Sequence, residues 1–439
     1  IGKSTLVLQA AAQVAESDRR VLYCSGEESP HQIRARGDRL GIGGPPLYLL
    51  AETCVERVLE EVTRLSPGLV IIDSIQTMFS SRLESAHPTL EVPMRARKLF
   101  PILSALFVMS PVSVAVQAQD LQVAELGECV LESGEVLAPC DLGYRTYGEL
   151  NVARDNAILI PTWFGGSSAA WTGLLGGGPI DLDGFYAIVV DAFGNGVSTS
   201  PTTSPTQAGG AFPLVSIGDM VHAQYRLLTH VLGLDGLYAV LGISMGGMQT
   251  FEWMVEYPDF FEKAVPIIGS PRVAAFDLAR WETELRVLEL FELCGCEEAA
   301  AAHAGLSLLT INTPEYHFRV TDRNTVQADL DRQGQNVLRL SDGRSENIAM
   351  QLRAMINHDI TRGFGGDMAR AAAAMKVELL VVVNATDHLV TPGPALEFAK
   401  LAGAASLVLA DDCGHLSPFQ SCSGTVMTET ISGFLARED

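Results

Sequence analysis

The chain has few basic residues for its length. Its 439 residues include 30 Lys and Arg against 52 Asp and Glu, which gives a formal net charge of −22. Nonspecific attraction to nucleic acid depends on clustered Lys and Arg that displace counterions from phosphates. We therefore do not expect nucleic acid among the partners of most of this chain.

Cysteine is also scarce, with eight residues in the whole chain. This number is too small to define a disulfide scaffold over such a length. The composition, 47% hydrophobic and 19% charged, excludes global disorder and a polytopic membrane protein. A chain of this length is expected to form more than one compact domain.

Residues 94–118 have the three parts of a secretory signal peptide in an unusual internal position. Basic residues follow Met94, an almost wholly apolar run covers 99–115, and small residues end the segment at Ala118. A buried helix or a membrane span is the alternative, but two prolines and the short apolar run disfavour it. The pattern predicts a domain boundary here, with separate segments at 1–93 and 119–439.

The boundary has a consequence for localisation. Translation from Met94 would make residues 119–439 a secreted or periplasmic protein, and residues 1–93 would then derive from a different coding sequence. A fused chain made as written would be cytoplasmic.

The first residues match the second half of a phosphate-binding P-loop. In such a loop Lys3 would bind the outer phosphates and Ser4 would bind Mg²⁺. Gly2 and Thr5 flank these two residues. An apolar predicted strand at 69–73 ends in Asp73, as a metal-organising Walker B strand does.

Three segments, "IGKSTLVLQ", "VLYCSGEES" and "LVIIDSIQTM", resemble the RadA/Sms branch of RecA-like DNA-repair ATPases over about residues 1–85. The resemblance implies ATP and Mg²⁺ at residues 2–5 and Asp73, with Glu27 or Glu28 positioning water. The leading glycines of the P-loop are not in the sequence, so we expect a truncated fragment with a vestigial site. An ATP-dependent DNA-repair activity is the alternative.

Residues 119–439 alternate apolar strands with helical stretches, which predicts an α/β domain with a doubly wound, mostly parallel sheet. Predicted strands include 156–160 and 185–190. Near the start of the domain, two short strands about Gly134 would bring Cys129 and Cys140 together, so a disulfide is expected there in an oxidising compartment.

A predicted strand at 238–241 runs into the sequence "GISMGG" and then into an amphipathic segment at 248–257. Strand, G-x-S-x-G and helix together are typical of the nucleophile elbow of α/β-hydrolases, with Ser244 as nucleophile. A tight glycine turn without chemistry is the alternative interpretation.

Two loops after later strands supply the remaining groups of a catalytic triad. Asp387 follows the predicted strand 378–383, and His415 follows the predicted strand 406–410. The serine needs a histidine base, and the histidine needs a carboxylate to orient it. The order serine, acid, histidine is that of α/β-hydrolases. His388, Asp411 and Asp412 are rival candidates for which a loop role is favoured.

The oxyanion of such a reaction needs two backbone donors. We expect the N–H of Met245, directly after the nucleophile, and the N–H of Phe164 in the loop 162–166.

The segments "LGYRTYGELN", "FPLVSIGDMVHAQYRLLTHVLGL" and "GISMGGMQTFEWMVEYPD" resemble homoserine O-acetyltransferase and its hydrolase-like relatives over about residues 126–435. The resemblance implies a helical lid, here about residues 271–374, and acyl transfer from acetyl-CoA through the serine to homoserine. A small-molecule acyl substrate is the expected partner, a homodimer is possible, and no metal or cofactor is required.

Three departures from the family pattern weaken the assignment as a transferase and favour hydrolysis of an ester or thioester: two in the sequence and one in the expected location. The family's "HALTG" loop is "TWFGG" at 162–166, and the lid arginine that holds the amino-acid carboxylate aligns with "HAG" at 303–305. Homoserine would lose its anchoring charge. An exported enzyme would also meet little acetyl-CoA, although transfer from acetyl-CoA remains the alternative. A noncatalytic binding fold is a third interpretation. Three arginines could replace the anchor but are also compatible with structural roles: Arg272, Arg280 and Arg319.

The last cysteines divide into two close pairs. Cys413 and Cys422 could brace the loop that carries His415. Cys294 and Cys296 are expected to be too close in sequence for easy mutual bonding.

Overall fold

The computed structural model describes residues 20–25, 33–34, 47–51, 55–65, 67, 69–73, 120–175, 178–328, 330–332, 344–419, 421–423 and 425–437. The chain divides into two compact units, Ile1–Met109 and Ser110–Asp439. The predicted signal-peptide segment 94–118 and the P-loop residues Gly2, Lys3, Ser4 and Thr5 lie outside the described residues, so these predictions stay untested.

The first unit contains a small parallel sheet. Its elements are β1 (Val21–Ser25), β2 (Leu47–Ala51), α1 (Val55–Leu65) and β3 (Leu69–Asp73). The strand order is β2-β1-β3, and every residue of β1 is buried. The strand predicted at 69–73 is present, and Asp73 is its last residue.

The second unit is built on an eight-stranded sheet in the order β13-β12-β11-β10-β8-β9-β7-β4, beside a two-stranded hairpin of β5 and β6. The pairs from β13 to β9 are parallel, and β7 runs antiparallel to both β9 and β4. Its strands are β4 (Gln122–Glu125), β5 (Cys129–Val130), β6 (Val136–Leu137), β7 (Asp141–Tyr147), β8 (Ala157–Pro161), β9 (Tyr186–Val190), β10 (Leu237–Ile243), β11 (Phe261–Ile267), β12 (Glu378–Asn384) and β13 (Ala405–Leu409).

Helices surround this sheet. They are α2 (Thr172–Leu175), α3 (Ile217–Arg226), α4 (Met245–Glu256), α5 (Ala275–Cys294), α6 (Glu297–Ile311), α7 (Pro314–Val320), α8 (Arg344–Ile356), α9 (Met368–Ala374), α10 (Gly393–Ala402) and α11 (Val426–Leu435). We call α5 to α9, which lie between β11 and β12 in the chain, the inserted helices. They fall within the range 271–374 that the sequence suggested for a lid. Among the described residues, no helix combines the length and apolar character needed to cross a bilayer.

The central strands β8, β10 and β12 are apolar over most of their length, and both of their faces are buried. In β12, Leu379 and Val381 belong to one hydrophobic cluster, and Leu380 and Val382 belong to another. Side chains alternate between faces along a strand, so each cluster fills one face of the sheet. The predicted doubly wound architecture is confirmed.

Three disulfides occur among the described residues. Cys129–Cys140 closes the β5–β6 hairpin as predicted, and Cys413 pairs with Cys422. The expectation for Cys294 and Cys296 is wrong, since they form a disulfide. Gly295 between them has a φ of 58°, and this left-handed turn at the end of α5 brings their Cα atoms to 5.1 Å.

Candidate active site

Ser244 stands at a sharp turn between β10 and α4. Its φ of 57° and ψ of −119° lie outside the regions that non-glycine residues normally occupy. The strain persists because the serine N–H donates to the carbonyl of Ile267 on β11, at 2.9 Å. The side chain is thereby lifted above the carboxyl edge of the sheet.

The glycines of the motif are required by close backbone approach. A Cβ on Gly242 would overlap the carbonyl oxygen of Gly246, and a Cβ on Gly246 would overlap that of Pro161. Only glycine lets the helix start this close to the strands, which explains the spacing of G-x-S-x-G around Ser244.

His415 and Asp387 meet Ser244 as the sequence predicted. The Oγ of Ser244 lies 2.9 Å from Nε2 of His415, and Nδ1 of His415 lies 2.7 Å from Oδ2 of Asp387. A carboxylate only accepts hydrogen bonds, so Nδ1 carries the proton and Nε2 is free to accept the serine proton. All three residues are buried, and Ser244 is 7% exposed.

Backbone donors fix the acid. The second carboxylate oxygen of Asp387 accepts from the N–H groups of Leu389 and Val390, at 2.8 and 3.0 Å. Both oxygens are therefore used, and the carboxylate is held facing the imidazole.

The rival acids serve the loops instead. Asp411 accepts from the side chain of Asn384 at the end of β12 and from the N–H of Cys413, which ties the acid loop to the histidine loop. Asp412 forms a two-bond ion pair with Arg319, at 2.9 and 2.8 Å. Arg319 is therefore not placed as a substrate anchor.

His388 takes no part in the triad contacts, and Arg272, a candidate substrate anchor, binds a backbone carbonyl instead. His388 is exposed in the acid loop. Arg272 donates to the carbonyl of Gly366, at 3.4 Å. Among the described residues, Asp411, Cys413 and Cys422 satisfy the spacing of a metal site, but the disulfide removes both thiolate ligands.

The loop expected to supply the second oxyanion donor is held by two glutamines. Gln351 on α8 accepts from the N–H of Gly165, at 2.8 Å, and donates to the carbonyl of Phe193. Gln249 on α4 donates to the carbonyl of Thr162, at 3.1 Å. Nothing in the sequence indicates either role, because a buried glutamine on an amphipathic helix acquires its partner only in the folded chain.

A cavity of about 90 Å³ opens on Ser244. Phe164 lines it, together with apolar side chains such as Trp281, Leu352 and Met355. Pockets for drug-sized ligands span about 300–1,000 Å³, so this cavity suits a group of only a few carbon atoms.

Charged groups of the inserted helices reach the same cavity. Arg280 and Glu284 of α5 line it, and Asp277 lies one turn earlier on that helix. Burial raises the pKa of Asp277 to about 6, against hydrogen bonds from Thr391 that lower it, and the negative charge of Asp387 adds to the rise. The sequence indicates Arg280 as a possible anchor but carries no signal for either acid.

The comparisons with known proteins agree with this geometry. The sequence-family model that describes the alpha/beta hydrolase fold matches residues 156–294 of this chain. At 32% identity over 296 residues, the chain is similar to an ethyl acetate hydrolase of Pseudomonas veronii, with 64% of this chain and 84% of that protein covered. It is 29% identical over 306 residues to a homoserine O-acetyltransferase of Carboxydothermus hydrogenoformans, covering 60% and 80% of the two chains.

Among solved structures, an acetylester hydrolase from Corynebacterium glutamicum superposes with a TM-score of 0.63 at 29% identity, over 72% of this chain and 96% of that one. The predicted class of activity, acyl transfer or ester hydrolysis by an α/β-hydrolase, is confirmed. The chain therefore belongs to the α/β-hydrolase family, with esterases and homoserine O-acetyltransferases among its relatives.

Proposed function

We propose that this enzyme hydrolyses esters of short, uncharged carboxylic acids, with Ser244, His415 and Asp387 as its catalytic triad. The observation that carries the proposal is the chain of contacts at 2.9 and 2.7 Å through His415, at the edge of a cavity of about 90 Å³. Relatives that act on ethyl acetate and acetyl esters support the short acyl group.

In the first step Ser244 Oγ attacks the carbonyl carbon while His415 Nε2 takes the serine proton. Asp387 holds the imidazole and stabilises its positive charge. The oxyanion faces the N–H of Met245, one of the first N–H groups of α4, which have no acceptor within the helix. We assign the second donor to the N–H of Phe164.

The tetrahedral intermediate then expels the alcohol, which takes the proton from Nε2, and an acyl-serine remains. Water attacks this ester with His415 again acting as base, and collapse releases the acid and restores Ser244. No cofactor enters these steps. We further propose that the inserted helices act as a lid over the cavity.

Hydrolysis is preferred over transfer because the position of the family's carboxylate-binding arginine falls at residues 303–305, "HAG". Transfer from acetyl-CoA to homoserine is the second candidate, which the homoserine O-acetyltransferase relatives support.

One experiment separates these activities. The release of 4-nitrophenol from 4-nitrophenyl acetate is compared with acetyl transfer from acetyl-CoA to homoserine. We expect ester hydrolysis to dominate and the Ser244→Ala variant to lose about 10⁴-fold or more in kcat.

The Ser307→Ala variant is the control, because Ser307 of α6 lines the same cavity. Its kcat should stay within about tenfold of the wild-type value, as for a wall residue outside the triad. Equal losses in both variants would contradict the assignment of Ser244. Faster acetylation of homoserine than hydrolysis would replace the hydrolase proposal with the transferase.

The first unit and the export of the second also remain proposals. The three-stranded parallel sheet, whose strand β3 ends at Asp73, supports a RecA-like origin for residues 1–93, as a fragment without ATPase activity. N-terminal sequencing of the protein purified from its source, together with ATP binding to the fused chain, tests the start at Met94 and the vestigial site. A start before Met94 with ATP binding that Lys3→Ala abolishes would contradict both.

A further inference from the structure

An ion pair lies in the wall of the mostly apolar cavity beside Ser244. Nη2 of Arg280 is 3.1 Å from one carboxylate oxygen of Glu284, and Nε2 of His303 is 3.1 Å from the other. The side chains of Arg280 and Glu284 are 7% and 4% exposed. We call Arg280, Glu284 and His303 the ion cluster.

Within the ion cluster, Glu284 neutralises the positive charge of Arg280. Besides its pairing with Glu284, the arginine donates from Nε to Oγ1 of Thr310 on α6, at 2.7 Å. Burial acts to raise the pKa of Glu284, but the contact with His303 and the positive charge of Arg280 outweigh it, so the pKa is lowered. Glu284 is therefore ionised and compensates the guanidinium.

This arrangement bears on which acyl groups the cavity accepts. A buried arginine without an acidic partner binds carboxylates strongly, through two parallel hydrogen bonds. Arg280 already pairs with a carboxylate, and Glu284 adds its own negative charge to the same cavity wall. A carboxylate on the acyl group of the substrate would therefore lose its hydration without finding an unpaired cation in the cavity.

We propose that Glu284 is a specificity-determining residue that restricts the acyl group to uncharged chains by neutralising Arg280, and that removing its charge converts the cavity into a receptor for an acyl carboxylate. This inference rests on the proposed ester hydrolysis and deepens it, since it assigns the charge of the acyl group.

The test uses two esters of one alcohol, a butyrate and a hemisuccinate, whose acyl groups both have four carbons and differ in charge. The wild-type enzyme should favour the butyrate ester by at least about tenfold in kcat/KM. In Glu284→Gln the ratio of hemisuccinate to butyrate kcat/KM should rise by about tenfold or more, mainly through a lower KM for the hemisuccinate.

The controls separate this effect from a general change of charge. Glu289→Gln removes a negative charge from the same helix, where Glu289 pairs with Arg353 at 3.2 Å and the side chains of Arg353 and Glu289 are 40% and 49% exposed. The ratio should stay at the wild-type value in this variant. A double variant, Arg280→Met with Glu284→Met, should not gain the hemisuccinate preference, because the receptor cation is absent.

Several results would overturn the proposal. These are equal use of both esters by the wild-type enzyme, a folded Glu284→Gln variant without a rise in the ratio, a rise that persists in the double variant, or a gain only for esters that carry the carboxylate on the alcohol side. If Glu284→Gln does not fold, equal use of both esters by the wild-type enzyme, or a preference of the double variant for the hemisuccinate, would still overturn the proposal. Loss of Ser244-dependent turnover of every ester would instead refute the proposed function.

Discussion

Two regions meet at Ser244 and hold their polar groups in different ways. In the loops at the carboxyl edge of the sheet, backbone N–H groups fix Asp387, and a strained backbone presents Ser244. In the inserted helices, Glu284 is held by side chains, those of Arg280 and His303. A substitution at Glu284 therefore removes one of the two partners of a side-chain pair, whereas the backbone donors to Asp387 remain whatever side chain stands at that position.

The largest expected effect lies in the loops. Asp387→Asn should lower kcat by about 10⁴-fold with little change in stability, because an amide can donate to Nδ1 and so favour the wrong tautomer of His415. Steady-state kinetics and thermal unfolding measure the two quantities. A loss of less than about tenfold would show that backbone contacts, rather than the charge of Asp387, place the imidazole.

The next effect concerns stability in the inserted helices. Glu284→Ala leaves a buried Arg280 without its acid, which should lower the free energy of unfolding by about 3–5 kcal/mol. Glu289→Ala, which breaks the exposed pair with Arg353, should cost only about 0.2–1 kcal/mol. Denaturant unfolding of both variants checks the contrast, and equal losses would contradict the difference in burial.

A smaller effect links the two regions through pH. The pKa of Asp277 is raised to about 6, so the folded protein binds this proton more tightly than the unfolded chain. The stability that protonated Asp277 contributes is therefore lost as pH rises from about 4 to about 6. Asp277→Asn cannot ionise and should gain on the order of 1–3 kcal/mol relative to the wild type over that interval.

Unfolding free energies of both proteins at pH 4 to 7 test this prediction. Stability curves that run parallel across the interval would show that Asp277 titrates in the folded protein as it does in the unfolded chain.

The strands and loops of the sheet could be predicted from the sequence, whereas the contacts of the inserted helices could not. The strands expected at 156–160, 378–383 and 406–410 are observed as Ala157–Pro161, Glu378–Asn384 and Ala405–Leu409, because apolar runs between loops mark buried parallel strands. The triad followed from chain order, since loops at the carboxyl ends of parallel strands converge at one edge of the sheet. The helix expected at 248–257 begins earlier, at Met245, because the glycines after Ser244 already adopt helical backbone.

The ion cluster could not be predicted in this way. Glu284 and His303 lie on different helices, and a charged residue in a helical sequence is usually solvent-exposed. The i,i+4 spacing of Arg280 and Glu284 is visible in the sequence, but their burial and the contact of Glu284 with His303 depend on how α5 and α6 pack. The same holds for Gln351, which lies 186 residues away in sequence from its partner Gly165.

The most direct test of the central claim is peptide mapping by mass spectrometry after treatment of the full chain with a fluorophosphonate, which phosphonylates activated serines. We predict one adduct, on Ser244, that Ser244→Ala abolishes and that a short-chain ester substrate slows. Folded protein that remains unmodified, or that is modified at Ser307 instead, would contradict an activated Ser244 and with it the hydrolase mechanism.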